Sequence, residues 1–312
     1  MNTVATPAPV PRKRRHRTKL QRRQTRLGWL LLLPALAVVG FVAIYPLGKT
    51  IYQSFTNQEF LAGITPTKWV GLDNYFGAAG VIHDSIFRDT IILTVKFTAI
   101  TVGFEFVLGL IIALVVNSKF RGRGLMRAVM LVPWAIPTVV AAKMWQWMLD
   151  DTTGVINDLG MRLHLISHAH AWIADPSTRL ASISAVDIWK TTPFVALLLL
   201  AGLQVIPNDL YEAAAVDGAN RLQQFWRITL PLLRPAILVT LIFRTLDALR
   251  VFDVFQVLLG NRLGAQSMAV YDQGVIVQDG HVGYGAAVSV AIFLIISVFV
   301  VIYVTFVRVS DQ

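Results

Sequence analysis

Apolar positions along the chain fall into six runs separated by polar stretches: Trp29–Phe55, Asp89–Asn117, Ala128–Leu149, Arg179–Leu203, Ala236–Leu258 and Ala286–Val307. A helix rises 1.5 Å per residue, so about 20 residues cross a ~30 Å hydrocarbon core. Each run is long enough. The pattern therefore predicts an all-α integral membrane protein with six transmembrane helices. The third run is interrupted by Pro133 and Pro137. The first follows a basic flank, as a signal peptide would. Its apolar part is too long for a signal core and no small-residue cleavage site follows, so it reads as an uncleaved first span. Residues 1–28 are expected to form a basic tail and residues 308–312 a short stub. No internal repeat is evident.

The longest polar stretch between two runs is Leu203–Pro235. A plain turn between helices needs about 2–8 residues, and this one spends roughly thirty. Tyr211–Ala215 (YEAAA) favours a short helix, because Ala and Glu lose little on entering one. Pro207 suits its start, and Gly218 can take positive φ and break it. A second helix can begin at Asn220, with Gln223 three residues on as its capping-box partner. Pro231 and Pro235 are expected to end that helix and redirect the chain. The prediction is a helix–turn–helix hung between two spans.

Composition supports a membrane protein: 55% of residues are hydrophobic and 15% charged, against about 25% charged in soluble domains. The net charge of +10 would suit nucleic acid, but its distribution points elsewhere. Nine of the 28 Lys and Arg residues lie in Arg12–Arg26, just before the first run, as on the cytoplasmic flank of a membrane helix. With the N-terminus inside, the cytoplasmic segments carry 17 basic residues and the opposite loops five. That asymmetry predicts both termini in the cytoplasm, together with the 204–235 loop.

Catalytic signatures are missing. The sequence has no GxxxxGK[ST] phosphate loop, no HExxH and no GxSxG. It has no cysteine, hence no thiolate metal site. His164, His168 and His170 lie in a loop without a carboxylate pattern and are expected to be ordinary loop histidines. The remaining signal is polarity inside the spans, where each charged group costs a few kcal/mol unless it meets a partner or a wet cavity. The fifth run carries Arg244, Asp247, Arg250 and Asp253, spaced by three so that each faces the next. Arg244 with Asp247, and Arg250 with Asp253, can pair and merely neutralise each other; alternatively they line a water-filled path for a polar solute. The fourth run carries Asp187, Lys190, Thr191 and Thr192 at similar depth, then Phe194. Phe194, Trp189 and Phe252 could stack on sugar rings. Glu105 and Lys96 lie on opposite faces of the second span and cannot pair with each other. Lys143 is placed to snorkel, and Trp145 and Trp147 look like interfacial belt residues.

The stretch Glu212-Ala213-Ala214, Gly218, Ile228-Thr229-Leu230-Pro231 resembles the EAA loop of permease subunits of binding-protein-dependent ABC importers. Residues 120–149 and 284–298 are similar to the sugar-permease branch, the MalF type, and most of 29–307 is covered. Within that branch the chain looks most like the permeases of actinobacterial trehalose importers, the SugA type. The resemblance implies a type I importer permease (MetI-like) fold in a bacterial inner membrane. The implied partners are a second homologous permease, two ATPase subunits that bind ATP and Mg, and a solute-binding lipoprotein that delivers sugar. No cofactor, metal or nucleic acid is implied for this chain. Glu212, Ala213, Ala214, Gly218, Ile228, Leu230 and Pro231 would form the ATPase-coupling element. The solute path would involve Lys190, Thr191, Phe194, Arg244, Asp247 and Arg250. These residues are more charged than a neutral sugar requires, which leaves a phosphorylated or an amino sugar open. A secondary transporter would show two related halves, which are not seen. A non-transporting scaffold would not need the charged fifth span.

Overall fold

The computed structural model describes residues 19–60, 66–118, 120–262 and 264–310. The basic residues before Lys19, the loop glycine Gly63, Lys119 and the end of the 308–312 stub lie outside that set. The chain divides into two units, Met1–Tyr52 and Gln53–Gln312.

In the first unit, helix α1 (Lys19–Val39) passes through a single π turn (Gly40–Ile44) into α2 (Tyr45–Gln53). Residues 19–28, expected to belong to the tail, continue the helix instead. Lys, Gln, Arg and Leu are good helix formers and prolong it past the apolar run.

The second unit begins with the short α3 (Asp73–Phe76) and the long α4 (Ser85–Asn117). The third apolar run forms two helices, α5 (Arg123–Ala135) and α6 (Thr138–Met148), bent by 87°. The break falls at Pro137. The residue before a proline is driven to extended backbone, and Ile136 has φ −71° and ψ 132°. Pro133 stays inside α5. Next come α7 (Val155–Arg162), α8 (Pro176–Val205), α9 (Asp209–Val216) and α10 (Arg221–Gln224). A π turn (Phe225–Thr229) leads into α11 (Leu230–Leu249), followed by α12 (Asp253–Leu259), α13 (Met268–Gln273), a third π turn (Gly274–Gln278) and α14 (Val282–Ser310). Among the described residues five helical segments are long and apolar enough to cross a membrane, or six if α5 and α6 count as one broken span.

Pro231 and Pro235 do not end the second helix of the polar stretch. The π turn accounts for Pro231. Leu230 N–H bonds to Phe225 O, five residues back, which widens the turn where the ring would otherwise strike the carbonyl at i−4. The first unit repeats the device, with a π turn directly before Tyr45-Pro46. Pro235 then sits within α11. The chain therefore runs as one helical rod from the polar loop into the fifth apolar run.

The core is built on α4 against α8, flanked by α11. Close approach is set by small residues, as is usual where membrane helices pack. A Cβ at Gly109 would lie 2.6 Å from Val195 Cγ1, and one at Gly202 would lie 2.4 Å from the Ala236 side chain. One apolar cluster includes Ala113, Val116, Val195, Leu199 and Leu233, and joins α4, α8 and α11. A second joins Phe97, Ile183 and Phe255, with Trp145 packed against it. Trp145 is thus a core residue: its ring meets Trp189 edge-on, centroids 5.5 Å apart. Trp147 remains exposed, as a belt residue would.

At the end of α4 nearest α13, Asp84 caps the helix, accepting from the amides of Ile86 (2.9 Å) and Phe87 (3.0 Å). Its other oxygen accepts from the hydroxyls of Tyr271 and Tyr284 (2.6 Å for Tyr284). Burial alone would raise the Asp84 pKa, but these four donors together hold it below the usual carboxylate value. A depressed carboxylate stabilises the fold above its unfolded pKa, and that contribution is lost as pH falls through the folded value. Asp84→Asn should therefore lower the melting temperature at pH 7, and the gap from wild type should close as pH falls below about 3.9. Melts by intrinsic fluorescence across that range would check this; a gap that persists unchanged at low pH would count against the charge.

Candidate functional site

The charged residues of the second, fourth and fifth apolar runs converge on one guanidinium. Arg244, on α11, is 2% exposed. Its Nε donates to Glu105 Oε2 and its Nη2 to Glu105 Oε1 (2.9 Å), a two-point grip on α4. The same Nη2 donates to Asp187 on α8, and Nη1 to Asp247 Oδ2 at 2.9 Å. Thr191 Oγ1 donates to Glu105 Oε1. Glu105 is fully buried and Asp187 is 5% exposed, whereas the Asp247 side chain is 69% exposed. Paired charge-assisted bonds of this kind fix orientation as well as adding energy. Each helix of the α4–α8–α11 core thus contributes to one ionic junction.

Lys190, one α-helical turn from Asp187 on α8, is turned elsewhere. Its Nζ donates to the carbonyl of Ile136 at 2.9 Å and lies 3.4 Å from that of Trp134. Those carbonyls end α5 at the Pro137 break, where no following amide reaches them. Lys190 thereby stitches the broken span to α8.

Above this junction opens a cavity of about 320 Å³ lined by Trp134, Thr138, Asp187, Lys190, Thr191, Arg244, Asp247 and residues 250–254. Five of the six residues expected on a solute path line it: Lys190, Thr191, Arg244, Asp247 and Arg250. Phe194 does not; it stacks behind Trp134, centroids 5.7 Å apart and planes 15° from parallel. Trp134 is the aromatic that faces the space, and Phe252 joins it. Trp189 is spent on Trp145.

The pairing of Arg244 with Asp247 is present, but that of Arg250 with Asp253 is not. Helix α11 stops at Leu249 and α12 restarts at Asp253, so the spacing of three no longer brings the two onto one face. Arg250 Nε donates instead to Leu246 O at 3.2 Å. Sequence reasoning noted Glu105 but missed its partner: a carboxylate in the middle of a long apolar helix needs a buried counter-charge, and that was the available signal.

The polar stretch forms the expected hairpin. Asn220 and Gln223 make both capping-box bonds, each 2.9 Å. Gly218 has φ +82°, a conformation that costs a side-chain-bearing residue strain. Glu212, Ala213 and Gly218 are exposed and Ala214 is half-buried. Ile228, Leu230 and Pro231 are half-buried in the stem. Tyr211 OH lies 3.0 Å from Thr229 Oγ1 and ties α9 to the π turn. Val216 (88% exposed), Leu222 and Trp226 leave apolar surface uncovered at the tip.

The histidine loop is quieter. His170 Nε2 lies 3.5 Å from Asp175 Oδ2, a single carboxylate beside one of the three histidines. Among the described residues no three His, Asp or Glu side chains gather to hold a metal.

These features define a class: a polytopic helical membrane protein whose spans enclose a charged, aromatic-lined cavity. The chain belongs to the family of binding-protein-dependent transport system inner membrane components, whose profile matches residues 105–312. It is 39% identical over 287 residues to the trehalose/maltose transport system permease protein MalF of Thermococcus litoralis, covering 92% of this chain and 95% of that one. It is 37% identical to the sulfoquinovosyl glycerol transport system permease protein SmoG of Agrobacterium fabrum, covering 91% of each chain. It is 37% identical to the trehalose transport system permease protein SugA of Mycobacterium tuberculosis, covering 92% and 91%. In fold it matches a chain of a bacterial ABC transporter that imports the acidic polysaccharide alginate, with a TM-score of 0.79 at 24% identity, over 93% of this chain and 99% of that one. The protein is thus a permease subunit rather than an enzyme, and ATP hydrolysis belongs to a separate subunit.

Lys190→Met removes the cap on the α5 end and leaves the Ile136 carbonyl without its charged donor. Losing a bond of this type costs about 1.5–3 kcal/mol. The melting temperature should fall, and hydrogen exchange should quicken selectively over residues 134–141. Unchanged exchange there would show that Lys190 does not hold the break.

Proposed function

We propose that this chain forms half of the translocation path of an ATP-driven sugar importer in a bacterial inner membrane. The cargo is a sugar of disaccharide size, such as trehalose. The observation that carries the reading is the cavity. It combines aromatic faces (Trp134, Phe252) with hydroxyl-binding groups (Thr138, Asp247, Arg250), the mixture that a ring with alternating C–H and O–H surfaces requires. Its volume falls at the small end of ligand sites, consistent with a path completed by a second permease subunit. The names of the trehalose relatives support the cargo class.

The hairpin of α9 and α10 is the coupling element for two ATPase subunits, and a solute-binding lipoprotein delivers sugar on the opposite side. The exposed Glu212, with Val216, Leu222 and Trp226, offers an anion amid apolar surface, which suits docking to another protein. The continuous rod through the π turn into α11 would carry movement of the hairpin to the cavity wall. The excess of basic residues in the N-terminal tail, the 119–127 loop and the hairpin itself supports cytoplasmic placement of the hairpin and both termini.

Two experiments test this. Asp247→Ala and Arg250→Ala should each cut sugar uptake about tenfold or more, the cost of one charged hydrogen bond, while the purified complex stays assembled. Normal uptake kinetics in both would remove these residues from the path. Glu212→Lys and Gly218→Leu should release the ATPase subunits from detergent-purified complex. Retained ATPase with unimpaired uptake would contradict the coupling role.

A further inference from the structure

Although the cavity is lined by cations and anions alike, the two are not equally available. Arg244 spends its fork on Glu105, Asp187 and Asp247. Lys190 spends its ammonium on backbone carbonyls of the broken span. Both are buried. Arg250 is exposed and keeps its terminal nitrogens, with only Nε engaged. On the acidic side, Asp247 uses one oxygen on Arg244 and keeps the other, and the exposed Asp253 carboxylate makes no hydrogen bond among the described residues. The groups open to a solute are therefore two carboxylates and one guanidinium.

We infer that the cavity is anion-excluding: Asp247 and Asp253 select a polyhydroxylated solute that is neutral or bears an amine, and disfavour one bearing phosphate or sulfonate. This rests on the proposed transport reading and narrows its cargo. It removes the phosphorylated sugar that the charge-rich sequence had left open. It also separates this cavity from whatever passes the alginate and sulfoquinovosyl glycerol importers, whose named cargoes are acidic or carry the sulfoquinovosyl group. The physical ground is that the lining carries four carboxylate charges, Glu105 behind it included, against three cations, and an anion desolvated there meets the unpaired Asp253 and the open oxygen of Asp247 with only Arg250 left to answer it.

The absence of cysteine from the chain makes a direct test possible. Thr138→Cys places one thiol on the cavity wall. In the assembled transporter, its modification rate is compared for the cationic 2-(trimethylammonio)ethyl and the anionic 2-sulfonatoethyl methanethiosulfonates. Each rate is divided by that for a simple thiol in solution. The cation should be favoured by roughly five- to thirtyfold, because one net charge about 4–8 Å away in water attracts one reagent and repels the other. Asp247→Asn/Asp253→Asn in the same background should erase the preference. If Thr138→Cys fails to assemble, Val251→Cys, on the same wall, serves as the reporter. Equal rates, faster reaction with the anion, or a preference untouched by the Asn pair would overturn the inference. Sugar uptake by the wild-type complex reads the transport proposal separately: uptake without charge preference defeats this inference alone, and preference without uptake defeats the transport reading alone.

Discussion

The buried guanidinium of Arg244 is the constraint on which the second unit depends. A charged side chain at mid-span costs a few kcal/mol even by the mildest scales, and three carboxylates from three helices answer it. Burying an ion pair seldom adds much net stability over a well-packed apolar core, whereas removing one partner is expensive. The value of such a junction is therefore specificity of arrangement: only one register of α4, α8 and α11 brings Glu105, Asp187 and Arg244 together. Gly109 and Gly202 make that register reachable by letting the backbones close.

The junction also divides the charges by task. Sequence reasoning faced a choice between mutual neutralisation and a solute path; the structure shows the ion pairing and, beside it, a charged cavity. Arg244, Glu105 and Asp187 are taken up with one another at the cavity floor. Asp247 straddles the boundary, one oxygen on Arg244 and the other toward the space. Arg250 and Asp253 escape pairing because the helix breaks between them. That break, like the one at Pro137, converts would-be internal contacts into cavity wall.

Much of this architecture was legible in the sequence because it is local. The apolar helices, the Asn220–Gln223 capping box and the φ > 0 turn at Gly218 each follow from a few neighbouring residues. The errors have local causes too: a π turn admits Pro231 into a continuing helix, and good helix formers carry α1 back to Lys19. What a single sequence hides is pairing at long range. Glu105 and Arg244 are 139 residues apart, and nothing in either neighbourhood names the other. Phe252 was named and does line the cavity, but Trp134 was missed for the same reason: Phe194 was visible on its own helix, and Trp134, from the broken span, covers it.

The central claim is that the charge of Arg244 serves the helix junction first and the cavity second. A double-mutant cycle on the thermal stability of the assembled transporter measures this most directly, pairing Arg244→Gln with Glu105→Gln and, separately, with Asp247→Asn. The account predicts a coupling for Arg244 and Glu105 several-fold larger than that for Arg244 and Asp247. Equal couplings, or a negligible one between Arg244 and Glu105, would contradict it.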